Sequence, residues 1–321
     1  MKTLVTGAGG FIGGHLVNEL LQRGDEVSAV DCKPLADWYQ VHPGARSSVA
    51  DLALRDEAVS ATAGVDRVFN LAADMGGIGF IEGNKAECML SVLINTHLLI
   101  GCRENEVPRY FYSSSACAYP VDSQDTPEAL PLKESDAYPA MPEDGYGWEK
   151  LFSERMCRHF MEDLGIETRV ARYHNVYGPH GAFEGGREKA PAAICRKVAE
   201  AALSGAGEIE IWGDGEQTRS FMYIDDCVHG TLAIMESDFR EPLNLGSDES
   251  VTINQLVGLA EGFADVELLR NYDLSAPQGV RGRNSDNALI SEVLGWAPGI
   301  PLEQGLGSTY AWIEAELAER R

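Results

Sequence analysis

The chain has no Cys-x-x-Cys pair. Its seven cysteines, at positions 32, 88, 102, 117, 157, 195 and 227, are odd in number and scattered. That pattern offers neither a disulfide scaffold nor a zinc site. No apolar run approaches the ~20 residues of a membrane span. The chain enters a strand and a glycine loop at once, which leaves no room for a signal peptide, so the reducing cytoplasm is expected. Basic residues are scarce: 26 against 50 acidic ones, a net charge of −24. Such a surface repels phosphate backbones and argues against a nucleic-acid partner. An anionic small ligand remains allowed where a pocket gathers a few Arg and Lys. Internal repeats and low-complexity segments are also missing. What is present is ordinary for a globular chain, 44% hydrophobic and 24% charged over 321 residues, enough for one large domain or two sharing an interface.

Residues 2–6 read as a short buried strand, followed by Gly7-Ala-Gly-Gly10-Phe11-Ile12-Gly13 and an amphipathic helix to about Arg23. Strand, glycine loop and helix in that order form a phosphate cradle. Gly7 permits the tight turn, Gly10 a close backbone approach to pyrophosphate, and Gly13 close helix packing. A second strand, 26–30, ends in Asp31, which can accept hydrogen bonds from ribose hydroxyls and repel a 2′-phosphate; NAD is therefore expected over NADP. Strand–helix alternation continues, with strands near 48–50, 67–71 and 109–113, a long helix over 84–105, and a further strand at 167–172. This predicts a doubly wound parallel α/β sheet, with ligands beyond the strands' carboxyl ends. Asp51 and Leu52 then fall near the adenine, Ala72 and Ala73 under the dinucleotide, and Ser113 at the edge where strand five ends. Residues 120–142 read as a surface loop. Strands at 221–224 and 243–245 are expected to return to the main sheet. The division expected is 1–172 with about 221–249 for the dinucleotide, and 173–220 with 250–321 for a smaller, partly interleaved substrate domain.

Tyr146 and Lys150 are four residues apart at the head of a predicted helix, so both leave one face. A phenol near pKa ~10 is a poor base at neutral pH, and a neighbouring ammonium is expected to lower it. The pair would then take a hydroxyl proton while a hydride leaves the same carbon. Alone, the spacing is common by chance and reads as an exposed helix face. His174 and His180 lack a carboxylate at ligand spacing, so no metal is expected.

Together these features resemble the extended short-chain dehydrogenase/reductases that act on nucleotide sugars. ADMGGIGF (73–80), SSAC (114–117), GGREKAP (185–191), WGDG (212–215) with QTRSF (217–221), and VRGRNSDN (280–287) are similar to the GDP-mannose 3,5-epimerase family. The resemblance implies a Rossmann-type fold, bound NAD, a GDP-sugar substrate and a homodimer formed through the helices near 84–105 and 145–164. It gives Cys117 and Lys189 the roles of acid and base at the sugar carbons beside C4, and Ser115 a hydrogen bond to the C4 oxygen. It places Gly76, Asn175, Glu188 and Ala190 against the sugar, and Lys197, Gln217, Thr218, Arg219 and Arg283 around the nucleotide and its diphosphate. Arg281 and Arg283 have internal ion pairs with Asp286 as an alternative. A 4-epimerase or 4-reductase of the same superfamily, or a non-catalytic NAD-binding regulator, are the other readings.

Overall fold

The computed structural model describes residues 1–320. The first half builds one sheet: β1 (Lys2–Thr6), α1 (Phe11–Gln22), β2 (Glu26–Asp31), β3 (Arg46–Val49), α2 (Arg55–Ala61), β4 (Arg67–Asn70), α3 (Ile78–Gly83), α4 (Lys85–Glu104), β5 (Arg109–Ser115), α5 (Tyr146–Leu164) and β6 (Glu167–Tyr173). The second half follows: β7 (Val176–Tyr177), α6 (Ala190–Ser204), β8 (Glu208–Trp212), β9 (Thr218–Ser220), β10 (Met222–Tyr223), α7 (Ile224–Glu236), β11 (Leu243–Leu245), β12 (Ser250–Thr252), α8 (Ile253–Ala264), β13 (Leu269–Asp273), β14 (Gly282–Arg283), α9 (Ala288–Leu294) and α10 (Leu302–Glu319).

Seven strands form the main sheet in the order β11-β6-β5-β4-β1-β2-β3, every neighbouring pair parallel. Central strands of such a sheet are covered on both faces, so their side chains are apolar without alternation; all four residues of β4 are buried. Leu16, Val17 and Leu20 of α1 pack with Ile224 and Leu232 of α7 in one hydrophobic cluster. Leu98 and Leu99 of α4 pack with Cys157 of α5 in another. A third cluster joins α6, α8 and α10 through Val198, Leu256 and Leu306.

One expectation needs correction. Met222–Tyr223 does not rejoin the main sheet; it pairs with Val176–Tyr177 in a two-stranded sheet of its own. Residue 224 already opens α7, and the edge beside β6 is taken by Leu243–Leu245. The stretch 120–142 is irregular and mostly exposed, as expected of a surface loop, but it is anchored at a few buried points. Gln124 is fully buried and Leu132 is 3% exposed, while the Leu132 N–H donates to Asn284 O at 3.0 Å. Arg172 Nη1 reaches Glu134 O at 2.9 Å. Proline and acidic residues report the lack of a regular ladder, and long-range bonds of this kind satisfy part of the backbone instead.

His174 lies just beyond β6 with no exposed surface; its Nε2 is 3.0 Å from Asn244 Oδ1, and Nδ1 has no partner. Burial pulls its pKa down to about 3, with Arg283 and Arg172 adding in the same direction. The unfolded imidazole titrates near ~6.5, so between the two values the unfolded chain binds the extra proton. Stability is therefore expected to fall as pH drops through that window, by up to about 1.4 kcal/mol per unit. Urea unfolding of His174→Gln should show a shallower acid limb; an unchanged slope would contradict this.

Candidate active site

Beyond β1 the chain turns through Gly7 at φ +68, where a Cβ would meet the Leu71 backbone at 2.8 Å. A Cβ on Gly13 would lie 2.2 Å from Gly7 O, so α1 packs on the loop only with glycine there. The N-cap of α1, Gly10, offers no side-chain cap, and the first turn, opened by Phe11 and Ile12, carries no acidic residue. Unpartnered N–H groups and the positive end of the helix are thus left for an anion. Asp31, 8% exposed, accepts the Gly9 and Lys33 N–H groups at 3.0 Å each and keeps lone pairs for ribose hydroxyls. Asp51 is exposed, with Oδ1 accepting the Ala53 N–H at 3.0 Å; Leu52 beside it is buried. Ala72, after β4, donates its N–H to Asn70 Oδ1 at 3.2 Å, and Ala73 follows. These residues fit a dinucleotide.

At the end of β5, Ser115 Oγ accepts the Cys117 N–H at 3.2 Å and caps the one-turn helix 116–118. The start of α5 packs directly on this turn. A Cβ on Gly147 would sit 2.2 Å from Cys117 O, and the Glu143 N–H donates to that same carbonyl at 3.1 Å. The glycine after Tyr146 is what brings the Tyr146 helix and the Cys117 turn together. Lys150, 1% exposed, donates to Ser113 O at 3.0 Å and lies 3.6 Å from Glu149 Oε2. Its ammonium is 5.4 Å from the Tyr146 ring centroid. Burial pushes the Tyr146 phenol well above its ordinary pKa, with Cys117 and Glu149 adding to the rise. The expected lowering by Lys150 is reversed here, because burial outweighs an ammonium that already faces a carboxylate.

Tyr146, Ser115 and Cys117 open into a cavity of about 480 Å³, together with Gly76, Asn175, Glu188, Lys189 and Ala190. Lys197, Gln217, Arg219 and Arg283 line the same space. Lys189 is the N-cap residue of α6, and burial of its amine lowers its pKa. Cys117 moves oppositely, up to about 11, through burial first and then the Glu143 carboxylate, against the pull of Arg283. One cavity therefore holds an amine shifted toward its basic form and a thiol held in its acid form.

The cations divide into two kinds. Arg219 meets only carbonyls, those of Thr218 at 2.7 Å, Gln278 at 3.2 Å and Val280 at 2.5 Å. Burial, then Arg283, pulls its pKa down to about 10; a half-buried guanidinium with no ion-paired carboxylate suits a diphosphate. Lys197, partly exposed, donates to Glu210 O at 2.9 Å and pairs with the carboxylate of the same residue at 3.5 Å. Arg283, by contrast, is spent internally: Nε donates to Gln124 at 2.6 Å, Nη2 to Glu143 at 2.6 Å and Nη1 to Cys117 Sγ at 3.5 Å. It is not a free diphosphate cation. Arg281 does form an ion pair, but with Asp214 at 3.0 Å and not with Asp286. Thr218 is outside the cavity lining, its hydroxyl donating to Pro127 O at 2.5 Å. Glu143 and Trp212, both in the lining, were not singled out from sequence. The only available sign for Glu143 was an acidic residue three positions before Tyr146. Among the described residues no group of three or more His, Cys, Asp or Glu could hold a metal ion, and no helix is long and apolar enough to cross a membrane.

A doubly wound sheet, a glycine cradle with an acidic residue ending β2, and Tyr146 at the cavity with Lys150 buried behind it define the extended short-chain dehydrogenase/reductase class. Residues 3–246 match the NAD dependent epimerase/dehydratase family, and the chain belongs to it. It is 48% identical to GDP-mannose 3,5-epimerase 1 of Oryza sativa subsp. japonica over 100% of this chain and 84% of that protein. The structure of UDP-glucose 4-epimerase from Thermotoga maritima, with UDP-glucose, superposes with a TM-score of 0.87 at 26% identity, covering 99% of this chain and 100% of that one. MoeE5 in complex with UDP-glucose and NAD has a TM-score of 0.78 at 30% identity, covering 99% and 100%.

Proposed function

We propose that this protein is an NAD-dependent epimerase of GDP-mannose that oxidises C4, inverts C5 with or without C3, and reduces C4 again, giving GDP-L-galactose and/or GDP-L-gulose. The observation that carries it is the placing of Cys117, Lys189 and Tyr146 around one cavity in a chain 48% identical to a plant GDP-mannose 3,5-epimerase. The 7–13 loop, Asp31, Asp51, Leu52, Ala72, Ala73, Ser113 and Lys150 would hold NAD. Bound there, NAD would supply a hydride acceptor and donor at C4. Tyr146 takes the C4 hydroxyl proton, with Ser115 steadying that oxygen. A carbonyl at C4 acidifies C3–H and C5–H, because each carbanion is an enolate. Lys189, as the amine, removes such a proton, and Cys117, as the thiol, supplies one from its own side. Arg219 and Lys197 meet the diphosphate; Gly76, Asn175, Glu188, Ala190 and Gln217 position the rest of the substrate.

The same reading includes a homodimer in a reducing cytoplasm. Met89, Leu90 and Leu93 on α4 and Trp148 and Phe152 on α5 are exposed apolar side chains on helices that pack together, and all seven cysteines are free. A monomeric mass by light scattering would remove the dimer. The competing reading, a 4-epimerase, has the fold of the Thermotoga enzyme behind it but leaves Cys117 and Lys189 without work. Incubation with NAD and either GDP-mannose or UDP-glucose, followed by product analysis, separates the two. Conversion of UDP-glucose alone would replace the epimerase of GDP-mannose by the 4-epimerase.

A further inference from the structure

Three arms of one buried guanidinium are given three different acceptors. Arg283 Nε is fixed by Gln124 Oε1 at 2.6 Å, and Gln124 is itself held by its Nε2 bond to Pro120 O at 2.9 Å. Nη2 pairs with Glu143 Oε1 at 2.6 Å, and Nη1 reaches Cys117 Sγ at 3.5 Å. Glu143 is tied to the cysteine a second time, through its own N–H and the Cys117 carbonyl. Its other oxygen, Oε2, is buried with no hydrogen-bond partner, although the residue lines the cavity. An unpartnered buried carboxylate oxygen is costly, and beside a cavity it calls for a reason.

We infer that Glu143 is a positioning residue for Cys117: fixed through Arg283, its carboxylate keeps the neighbouring sulfur a protonated thiol in the resting enzyme, so that Cys117 gives a proton and Lys189 takes one. Arg283 alone would favour the thiolate, and a reactive, acidic cysteine would follow. Glu143 cancels that charge from the same guanidinium. The other charged or titratable groups acting on the sulfur are Tyr146 at the head of α5, Lys189 before α6 and Arg219 on β9, with Cys88 of α4 in the same buried cluster. Burial first, and then the Glu143 carboxylate, push the thiol up to about 11 against the pull of Arg283. In turnover Lys189 gains the C5 proton and becomes an ammonium. The enolate carbon then takes the proton of the Cys117 S–H bond, whose electron pair stays on sulfur as a thiolate facing Arg283. A proton passed through solvent from Lys189 to Cys117 restores both groups. Only this consequence for turnover rests on the epimerase reading; the state of the thiol does not.

The test is the pH dependence of iodoacetamide alkylation at Cys117, read by peptide mass spectrometry on the full chain so that exposed Cys32 does not interfere. The wild-type midpoint is expected near 11. Glu143→Gln keeps the shape but removes the charge, and should lower the midpoint by at least about one unit, a tenfold faster alkylation near neutral pH. Glu143→Asp keeps the charge and should stay near wild type. The alkaline limb of kcat/KM should move with the thiol, whereas a purely structural defect would lower its height without moving it. A midpoint unmoved in folded Glu143→Gln, or a wild-type midpoint at or below the ~8.5 of an ordinary thiol, overturns the inference. Should Glu143→Gln not fold, the wild-type and Glu143→Asp midpoints decide. A wild-type enzyme that converts no GDP-mannose would sink the epimerase reading and leave the thiol result standing.

Discussion

Lys189→Met is expected to lower solvent hydrogen exchange at C5 of GDP-mannose by about 10²–10⁴-fold, the usual worth of a positioned general base, while C4 oxidation persists. The two parts separate because Lys189 acts only after the C4 carbonyl exists. Methionine keeps the length and apolar stem of lysine at the head of α6, so the cavity stays filled while the amine is lost. Rapid-mixing absorbance of the nicotinamide reads the first step, and NMR of the sugar reads the second. Loss of both together would show that Lys189 holds the fold or the substrate and is not the base. The pH dependence has a definite sign. The active form needs the neutral amine, so kcat/KM should rise with pH through the Lys189 pKa, which burial has brought below the ordinary lysine value. It should fall again as Cys117 loses its proton near about 11. An activity that declines steadily from neutral pH upward would contradict this assignment.

Tyr146→Phe should have the opposite pattern. The hydroxyl is lost from a buried ring, 5% exposed, with little change of packing, and the step affected is the first. Oxidation at C4 is expected to slow by about 10²–10⁴-fold, and exchange at C3 and C5 must slow with it, since without the C4 carbonyl neither hydrogen is acidic. The free protein raises the phenol's pKa, so proton removal from C4–OH depends on Tyr146 reaching its anionic form during the bound steps. A Tyr146→Phe enzyme that oxidised C4 at the wild-type rate would remove Tyr146 from the mechanism.

Much of this was legible in the sequence, for reasons that differ by region. The glycine loop and Asp31 are local: each depends on neighbours within one βαβ unit, and the loop does join β1 to α1 with Asp31 ending β2. Residues 146–164 formed a helix in the sequence and do so here. What the sequence could not hold was the long-range charge arrangement. Arg283 carried the same label as Arg219, an anion-binding arginine, yet one is paired with Glu143, 140 positions away, and the other meets only carbonyls. Nothing local distinguishes them. Thr218 adjoins Gln217 and Arg219 but faces away, because side chains alternate along a strand such as β9. The rise of the Tyr146 pKa was likewise invisible, since burial is a property of the folded cavity. The anchoring of the 120–142 loop was hidden for the same reason: buried Gln124 accepts a hydrogen bond from Arg283, far along the chain.

The central claim is that protons leave and return at the carbons beside C4. The most direct test is proton NMR of GDP-mannose incubated with the protein and NAD in deuterated water. Deuterium at C5 with a gulo product, or at C3 and C5 with a galacto product, is the expected result. Turnover of a nucleotide sugar with no deuterium at either carbon would contradict it, and would return Cys117 and Lys189 to structural roles beside a C4 reaction.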